Sequence, residues 1–360
     1  MDITSDDLMM IQSFGPEADL LSVLRDRNSV LPPIPSVKWL VLFVIKTATS
    51  AEHFWTNYRQ ITQAVDNTSK WYDVRNIDGR MIYRPWYPLS LYQEWVQANI
   101  LEMQPVSEYA TAYAKGSGTK KNAEPHVGRA CVVKLDIRHF FDSITFRQIY
   151  RAFETITDYP KPVLTFLARL CSVNGHLPQG ASTSPMLSNL CMLDIDKEIG
   201  AYCVEKGISY TRYSDDMTFS ADSMDVQHLL LFVESLLSKN GFRVNKRKTR
   251  VLKKGVCHNV TGVVCNEKVH VPAEYKKKIR QEMYYIEKYG FQEHLDRMDK
   301  EKYADIHEAI SYFQVLTGKI KYVLGIEKDN DAMRAYYKKA VIILKDLLRK
   351  AKRSYVVILE

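Results

Sequence analysis

The sequence predicts an α+β fold of short strands and amphipathic helices, and three observations carry that expectation. Short runs of β-forming residues are cut by turn signals, such as Asp78-Gly79 between 71–74 and 80–84. Apolar residues recur at helical spacing in longer stretches, as in 225–240. Beyond Ala273 the helical pattern continues without strand signals and with an excess of Lys and Arg. The composition, 46% hydrophobic and 26% charged, is that of an ordinary globular protein. A chain of 360 residues is too long for one small core and points to two or three domains or subdomains.

Taken in order, residues 1–70 are expected to be helical, with apolar segments at 20–24 and 37–45 around the breaker Pro32-Pro33-Ile34-Pro35. The acidic N-terminus (Asp2, Asp6, Asp7) lacks a signal-peptide pattern. The longest aliphatic-aromatic run, 39–45, falls far short of the ~20 residues that span a bilayer. A cytoplasmic protein without membrane contact is expected. After the 71–84 hairpin comes a helix over 89–103, with Leu91, Trp95, Ala98 and Leu101 facing inward. A polar loop at 115–121 leads to a buried strand, 130–137, that ends on a carboxylate, Asp136. Helices are expected over 146–155 and 163–172, and the turn Leu177-Pro178-Gln179-Gly180 opens another that runs to about Cys203. Residues 209–220 read as two brief strands joined at Ser214 to Asp216, with Met217 and Phe219 alternating with Thr218 and Ser220. The 225–240 helix presents Val226, Leu229, Leu230, Val233, Leu236 and Leu237 on one face and should stop at Gly241. Segments 243–252 and 260–271 look strand-like, and the rest is helical and basic.

The net charge of +8 is unevenly placed. From Gly241 onward there are 27 Lys/Arg against 15 Asp/Glu; before it, 23 against 27. A basic C-terminal third suits a polyanion such as nucleic acid, and equally a set of solvated Lys-rich helices. Six cysteines, at 131, 171, 191, 203, 257 and 265, form no Cys-x-x-Cys and mostly sit in apolar runs. They read as reduced core thiols, not as zinc ligands.

The chemistry concentrates on carboxylates. Asp215-Asp216 set two like charges side by side, which a neighbouring cation relieves. Magnesium takes oxygen ligands of this kind. Such a pair is also an ordinary solvated turn. Asp136 changes the balance: a sheet that sets its strand beside the hairpin would gather three carboxylates, a set able to hold two magnesium ions for in-line phosphoryl displacement. Lys134, Arg138 and Arg212 would balance charge around it. The alternative leaves Asp136 as an exposed strand end.

Five stretches in order resemble the motifs of reverse transcriptases. Arg80-Met81-Ile82-Tyr83-Arg84-Pro85, with Gln93 and Trp95, looks like their fingers motif. Leu135-Asp136-Ile137-Arg138-His139-Phe140-Phe141 is similar to the first acidic motif. Leu177 through Pro185 is similar to the glycine turn, in the spelling of group II intron and retron enzymes. Tyr213-Ser214-Asp215-Asp216 resembles the second acidic motif, with Ser where this family usually has Ala. Gly241-Phe242 through Asn245, with Lys248-Thr249, resembles the lysine-bearing segment. Two further matches are similar to retron enzymes in particular: Asn122-Ala123-x-x-His126 before the first acidic strand, and Val260-Thr261-Gly262 in the last region of the palm.

The resemblance implies a right-hand polymerase: fingers over 71–129, a palm with a mixed or antiparallel sheet over 130–271 including a helical insertion at about 146–176, and a helical basic thumb over 272–360. It implies catalysis by Asp136, Asp215 and Asp216, which hold two Mg2+ with the Ile137 carbonyl as an extra ligand. Arg80 and Arg84 would reach the triphosphate of the dNTP. Gln179 and Gly180 would let the backbone approach nucleotide and template. Phe141 would lie under the sugar and reject a 2′-hydroxyl; packing in the core is its other reading. Lys248 is a proton donor to pyrophosphate or a solvated strand residue. Asn122, His126, Val260, Thr261, Gly262, Lys276, Lys277 and Lys278 are the RNA-binding candidates, although a His after Pro is more often structural. The implied activity is RNA-directed DNA synthesis, primed on a cognate structured noncoding RNA and giving RNA-linked single-stranded DNA. The implied setting is antiphage defence with an effector protein. A group II intron-like or other domesticated reverse transcriptase is the rival within the class. A scaffold or antitoxin that holds RNA–DNA to restrain an effector is the rival outside it.

Overall fold

The computed structural model describes residues 63–357, together with Ile34, Ser36, Val37, Leu40, Gln60 and Ile61. The expected N-terminal helical region lies almost wholly outside the described residues. By their contacts the residues form two units. The first comprises Met1–Lys115, Asp136–Tyr202 and Gln227–Arg247; the second comprises Gly116–Leu135, Cys203–Val226 and Lys248–Glu360.

In the first unit, β1 (Tyr72–Ile77) and β2 (Arg80–Pro85) pair antiparallel, with Tyr72 opposite Pro85 and Ile77 opposite Arg80. Asp78 and Gly79 have φ of 51° and 79°, the left-handed pair that a two-residue hairpin loop needs to match strand twist. The helix Leu89–Val96 continues as a π turn, Gln97–Leu101. Its buried residues are Leu89, Tyr92, Gln93, Trp95 and Val96, then Ile100 and Leu101. The expected inward face is thus corrected at two positions: Leu91 is half-buried and Ala98 exposed. The π turn widens the repeat, and polar Gln93 goes inside because its amide donates to Tyr72 Oη (2.7 Å) and to the Leu170 carbonyl (2.8 Å). The helix Phe146–Ile156 starts at a capping box of Thr145 and Gln148, and packs with Lys161–Leu170 and Ser184–Cys191. Val226–Lys239 buries Leu229, Val233, Leu236 and Leu237, and the chain leaves it at Gly241, φ 84°.

The second unit contains β3 (Cys131–Asp136, whose last residue groups with the first unit), β4 (Ser209–Tyr213), β5 (Asp216–Ala221) and β6 (Arg250–Lys253). They form one sheet in the order β4-β5-β3-β6, with antiparallel ladders between β4 and β5 and between β3 and β6. The α+β class and the antiparallel sheet are as expected. The two strand-like segments are shorter than expected. Within 243–252 the ladder is interrupted: Val244 makes a single bridge to Ile137, Lys246, Arg247 and Lys248 turn the chain, and the strand resumes only as Arg250–Lys253. Within 260–271 only a small hairpin forms, β7 (Asn259–Val260) with β8 (Val263–Val264), because Thr261 (φ 49°) and Gly262 (φ 81°) reverse the chain at once.

Four helices follow: Ala273–Tyr289, Phe291–Tyr303, Ile306–Ile326 and Asp331–Val357. Ile279, Met283, Leu295, Phe313, Leu316, Ile320 and Val323 share one core with Ala123, Val132, Val260, Val263 and Cys265. The basic helices are therefore seated on the sheet and the 259–264 hairpin by a common apolar interior. Cys171, Cys203 and Cys265 are buried free thiols, as expected; Cys257 is a departure, since it closes the exposed run 253–257. Burial pushes the Cys171 thiol up to about 12. Among the described residues no helix is long and apolar enough to cross a membrane.

Candidate active site

The hairpin of β4 and β5 pairs Tyr213 with Asp216, which leaves Ser214 and Asp215 as its two-residue loop. Ser214 has φ of 59° and is buried. A left-handed serine costs roughly 1–2 kcal/mol, a strain that persists only where the surroundings impose it. Arg212 does part of that. Its side chain is fully buried, and its guanidinium donates to the Ser214 carbonyl at 3.0 Å. A fixed cation thus lies within the turn that carries Asp215 and Asp216, both half-buried.

The strands are held by hydroxyl groups. His126 is fully buried, with Nδ1 2.6 Å from Ser220 Oγ on β5 and Nε2 2.8 Å from Thr211 Oγ1 on β4. Thr211 Oγ1 also donates to the Asn122 carbonyl at 3.1 Å, and the Asn122 side-chain amide donates to Thr261 Oγ1. Burial, reinforced by Arg129, pushes the imidazole down to about 3, so it is neutral. The alternation of Met217 and Phe219 with Thr218 and Ser220 suggests a half-exposed strand, but β5 is buried on both faces. Tyr210 stacks on Phe219, centroids 4.9 Å apart, and Ser220, together with Thr211 of β4, holds His126.

In the first unit, Asp136 is 5% exposed and held twice by Asn245: the Asn245 amide N donates to the Asp136 carbonyl (2.8 Å), and Nδ2 to Oδ1 (3.1 Å). Asp136 is not the exposed strand end of the alternative reading. Arg138 N donates to the Arg243 carbonyl at 2.8 Å, so the bonds bracket the Ile137–Val244 bridge and the Ile137 carbonyl is directed away from this ladder. Arg138, Val244, Asn245, Lys246 and Arg247 line a cavity of about 510 Å³ that is rich in positive charge. Phe141 is half-buried, edge-on to Phe140 at 5.5 Å, whereas Phe140 is the core residue, beside Phe242.

Arg80 and Arg84 are exposed and share one face of β2, since both are even steps along the strand. The Tyr83 amide donates to the Gln179 carbonyl at 2.8 Å, which ties the glycine turn to that strand. At Gly180, φ 117°, an added Cβ would lie 2.9 Å from the Tyr83 carbonyl oxygen. The glycine therefore serves a close approach to β2. Arg80, Arg84, Gln179 and Gly180 belong to one local assembly, and Asp136, Ile137 and Phe141 lie on a second in the same unit. In the other unit, Lys277, Lys278 and Lys248 are exposed, while Lys276 is largely covered and pairs with Glu327 at 2.8 Å. Val260 is buried, Thr261 half-buried and Gly262 exposed.

Thr211, Ser220 and Asn245 lie within the acidic-hairpin and lysine-bearing stretches, but no role for them is legible in the sequence. The available signal was hydroxyl residues on strands with an apolar opposite face, together with a polar His motif that needs partners if buried. Asp136, Asp215 and Asp216 supply hard oxygen donors that suit magnesium. Among the described residues, no group of three His, Cys, Asp or Glu side chains is gathered so as to hold a metal ion.

The profile of the family described as reverse transcriptase (RNA-dependent DNA polymerase) matches residues 77–277. The retron Ec86 reverse transcriptase of Escherichia coli is 34% identical over 209 residues, 58% of this chain and 65% of that protein. The retron Mx65 reverse transcriptase of Myxococcus xanthus is 33% identical over 220 residues, 56% of this chain and 51% of that one. The retron Ec83 reverse transcriptase of Escherichia coli is 32% identical over 220 residues, 57% of this chain and 70% of that one. The first two alignments thus span about half to two thirds of those relatives.

Proposed function

Because the chain belongs to the reverse transcriptase (RNA-dependent DNA polymerase) family, and to its retron branch, we propose that it is an RNA-directed DNA polymerase that copies a structured noncoding RNA into DNA joined to that RNA. The carrying observation is the family match over 77–277, a span in which both acidic motifs are intact. The right-hand polymerase fold follows from the family, with fingers, palm and thumb divided as the motif order suggests. Sheet order supports the reading, since β5, which opens on Asp216, neighbours β3, which closes on Asp136.

On this reading Asp136, Asp215 and Asp216, with the Ile137 carbonyl, would hold two magnesium ions. Those ions would neutralise charge on the reacting phosphate and favour ionisation of the priming hydroxyl. Asn245 holds the Asp136 carboxylate in one rotamer. Arg80 and Arg84 reach the nucleotide triphosphate as charge-assisted donors, and the basic cavity beside Asn245 adds positive potential. Phe141 excludes a 2′-hydroxyl. Lys248, which is exposed, returns a proton to the leaving pyrophosphate. Basic residues of the C-terminal helices contact RNA phosphates. An effector partner and a role in antiphage defence belong to the same proposal.

The test is Asp215→Asn and Asp136→Ala, assayed for extension of an annealed DNA primer on RNA with magnesium. Both should abolish synthesis while the thermal unfolding midpoint stays close to wild type. Wild-type extension by Asp136→Ala would overturn the assignment. Purification of the wild-type chain should yield RNA-linked DNA; RNA binding without any DNA product would favour a scaffold.

A further inference from the structure

The protons around His126 can be assigned from geometry. A neutral imidazole has one N–H and one lone pair. The Thr211 hydroxyl proton is committed to the Asn122 carbonyl, so Thr211 Oγ1 must accept from His126 Nε2. Nδ1 is then the acceptor, and the Ser220 hydroxyl donates to it. Each proton is used once, and both ring nitrogens of His126 are satisfied. An imidazolium would carry a second N–H and turn the Ser220 proton away from its partner in a closed site.

The strand register gives this arrangement its purpose. Ser209 pairs with Ser220 and Thr211 with Thr218, so Thr211 and Ser220 are diagonal neighbours on one face. His126 spans both strands across that diagonal. A slip of one residue in either strand would carry its hydroxyl to the opposite face and break the span. The next link is Asn122, whose side chain reaches Thr261 in the left-handed turn between β7 and β8. Gly262 N donates to Asn259 Oδ1 in the same turn, at 2.9 Å. The two short motifs that resemble retron enzymes therefore meet each other behind the acidic hairpin.

We infer that Asn122 and His126 form a positioning clasp that fixes the register of the hairpin carrying Asp215 and Asp216 and ties it to the Thr261 turn. His126, fully buried with both ring nitrogens engaged, does not contact nucleic acid; Gly262, exposed, is the part of this connection that can. The positioning role rests on the proposed polymerase reading, through Asp215 and Asp216.

Two measurements test it. In wild-type protein with 15N-labelled histidine, NMR at pH 7 should show His126 as the Nε2–H tautomer; the Nδ1–H tautomer or an imidazolium would overturn the clasp whatever the variants do. In kinetics on poly(rA) annealed to oligo(dT), His126→Ala and Thr211→Val should each lower kcat by on the order of 10–100-fold, because small displacements of reacting groups cost that much. The KM for dTTP and the Kd for the duplex should move less than twofold. His126→Gln, which keeps an amide N–H near the Nε2 position, should recover part of the loss. Unchanged kcat with weakened duplex affinity would mean that the motif is an RNA contact and would overturn the inference. Wild-type protein and Asp216→Asn, run alongside, separate the two failures: no extension by the wild-type protein sinks the polymerase reading, and wild-type rates in Asp216→Asn sink the role of that carboxylate, while the tautomer still decides the clasp.

Discussion

Asn245→Ala isolates one bond at the first acidic strand. Asn245 holds Asp136 through its main chain at 2.8 Å and through its side chain at 3.1 Å, and the substitution removes only the second. A hydrogen bond to a charged acceptor contributes about 1.5–3 kcal/mol net. Asp136 is 5% exposed, so water recovers little of it. Asp136 has further interactions, which places the loss toward the lower end, about 1.5–2 kcal/mol. If the freed carboxylate leaves its productive rotamer, that energy appears in the barrier as roughly a 10- to 30-fold fall in kcat/KM. The assay is single-nucleotide extension of an annealed primer over a magnesium titration, with urea unfolding alongside. Asn245→Asp should be worse than Ala, because it sets a second carboxylate against Asp136. Wild-type kcat/KM in Asn245→Ala, or a milder defect in Asn245→Asp, would refute the reasoning.

Gly180→Ala should lower unfolding stability by about 2 kcal/mol or more, read as a shifted urea midpoint, because Ala at φ 117° meets the Tyr83 carbonyl at 2.9 Å; an unshifted midpoint would refute the close approach. Phe141→Ala should raise the kcat/KM of ribonucleotides relative to deoxynucleotides, and an unchanged ratio would return Phe141 to packing. Lys277→Ala with Lys278→Ala should flatten the slope of log affinity against log salt by roughly 0.7–0.9 for each lost phosphate contact without altering the fold. Lys276→Ala should behave differently. Burial pushes Glu327 up, but Lys276, Asn330 and the Val271 amide outweigh it and hold the carboxyl below its usual range. A carboxyl depressed in this way stabilises the fold above its unfolded pKa and ceases to as pH falls through its folded pKa. The loss in Lys276→Ala should therefore be full near neutral pH and fade in acid, as followed by thermal unfolding.

The parts legible in the sequence are those set by local chemistry. Asp78-Gly79 demands a left-handed loop, so the β1–β2 hairpin was readable, and Gly241 marked the end of its helix. The carboxylates were readable because adjacent like charges need a reason. What failed was decided at a distance. Gln93 is buried because Tyr72 and the Leu170 carbonyl accept its protons, and no periodicity encodes that. Lys276, one of three consecutive lysines, differs from its neighbours only because the chain returns Glu327 to it 51 residues later. Asn122 and His126 were visible as a motif, but their partners Thr211, Ser220 and Thr261 look like ordinary strand and turn residues until the strands are registered.

The acidic turn needs all of this support. A two-stranded hairpin is marginal by itself in water, and this one carries two further costs, a left-handed Ser214 and neighbouring carboxylates that repel. Left to local preference it would relax, either by slipping register or by moving Ser214 to a right-handed conformation. Each escape is opposed by a separate contact. His126 holds the diagonal between Thr211 and Ser220, which opposes slippage. The buried Arg212 guanidinium holds the Ser214 carbonyl, which opposes rotation of that peptide and keeps a positive charge close to the carboxylates. The Tyr210–Phe219 stack closes the opposite face. The polar groups inside this sheet thus offset a strain that apolar packing could not direct, because only directional bonds distinguish one register of the hairpin from the next.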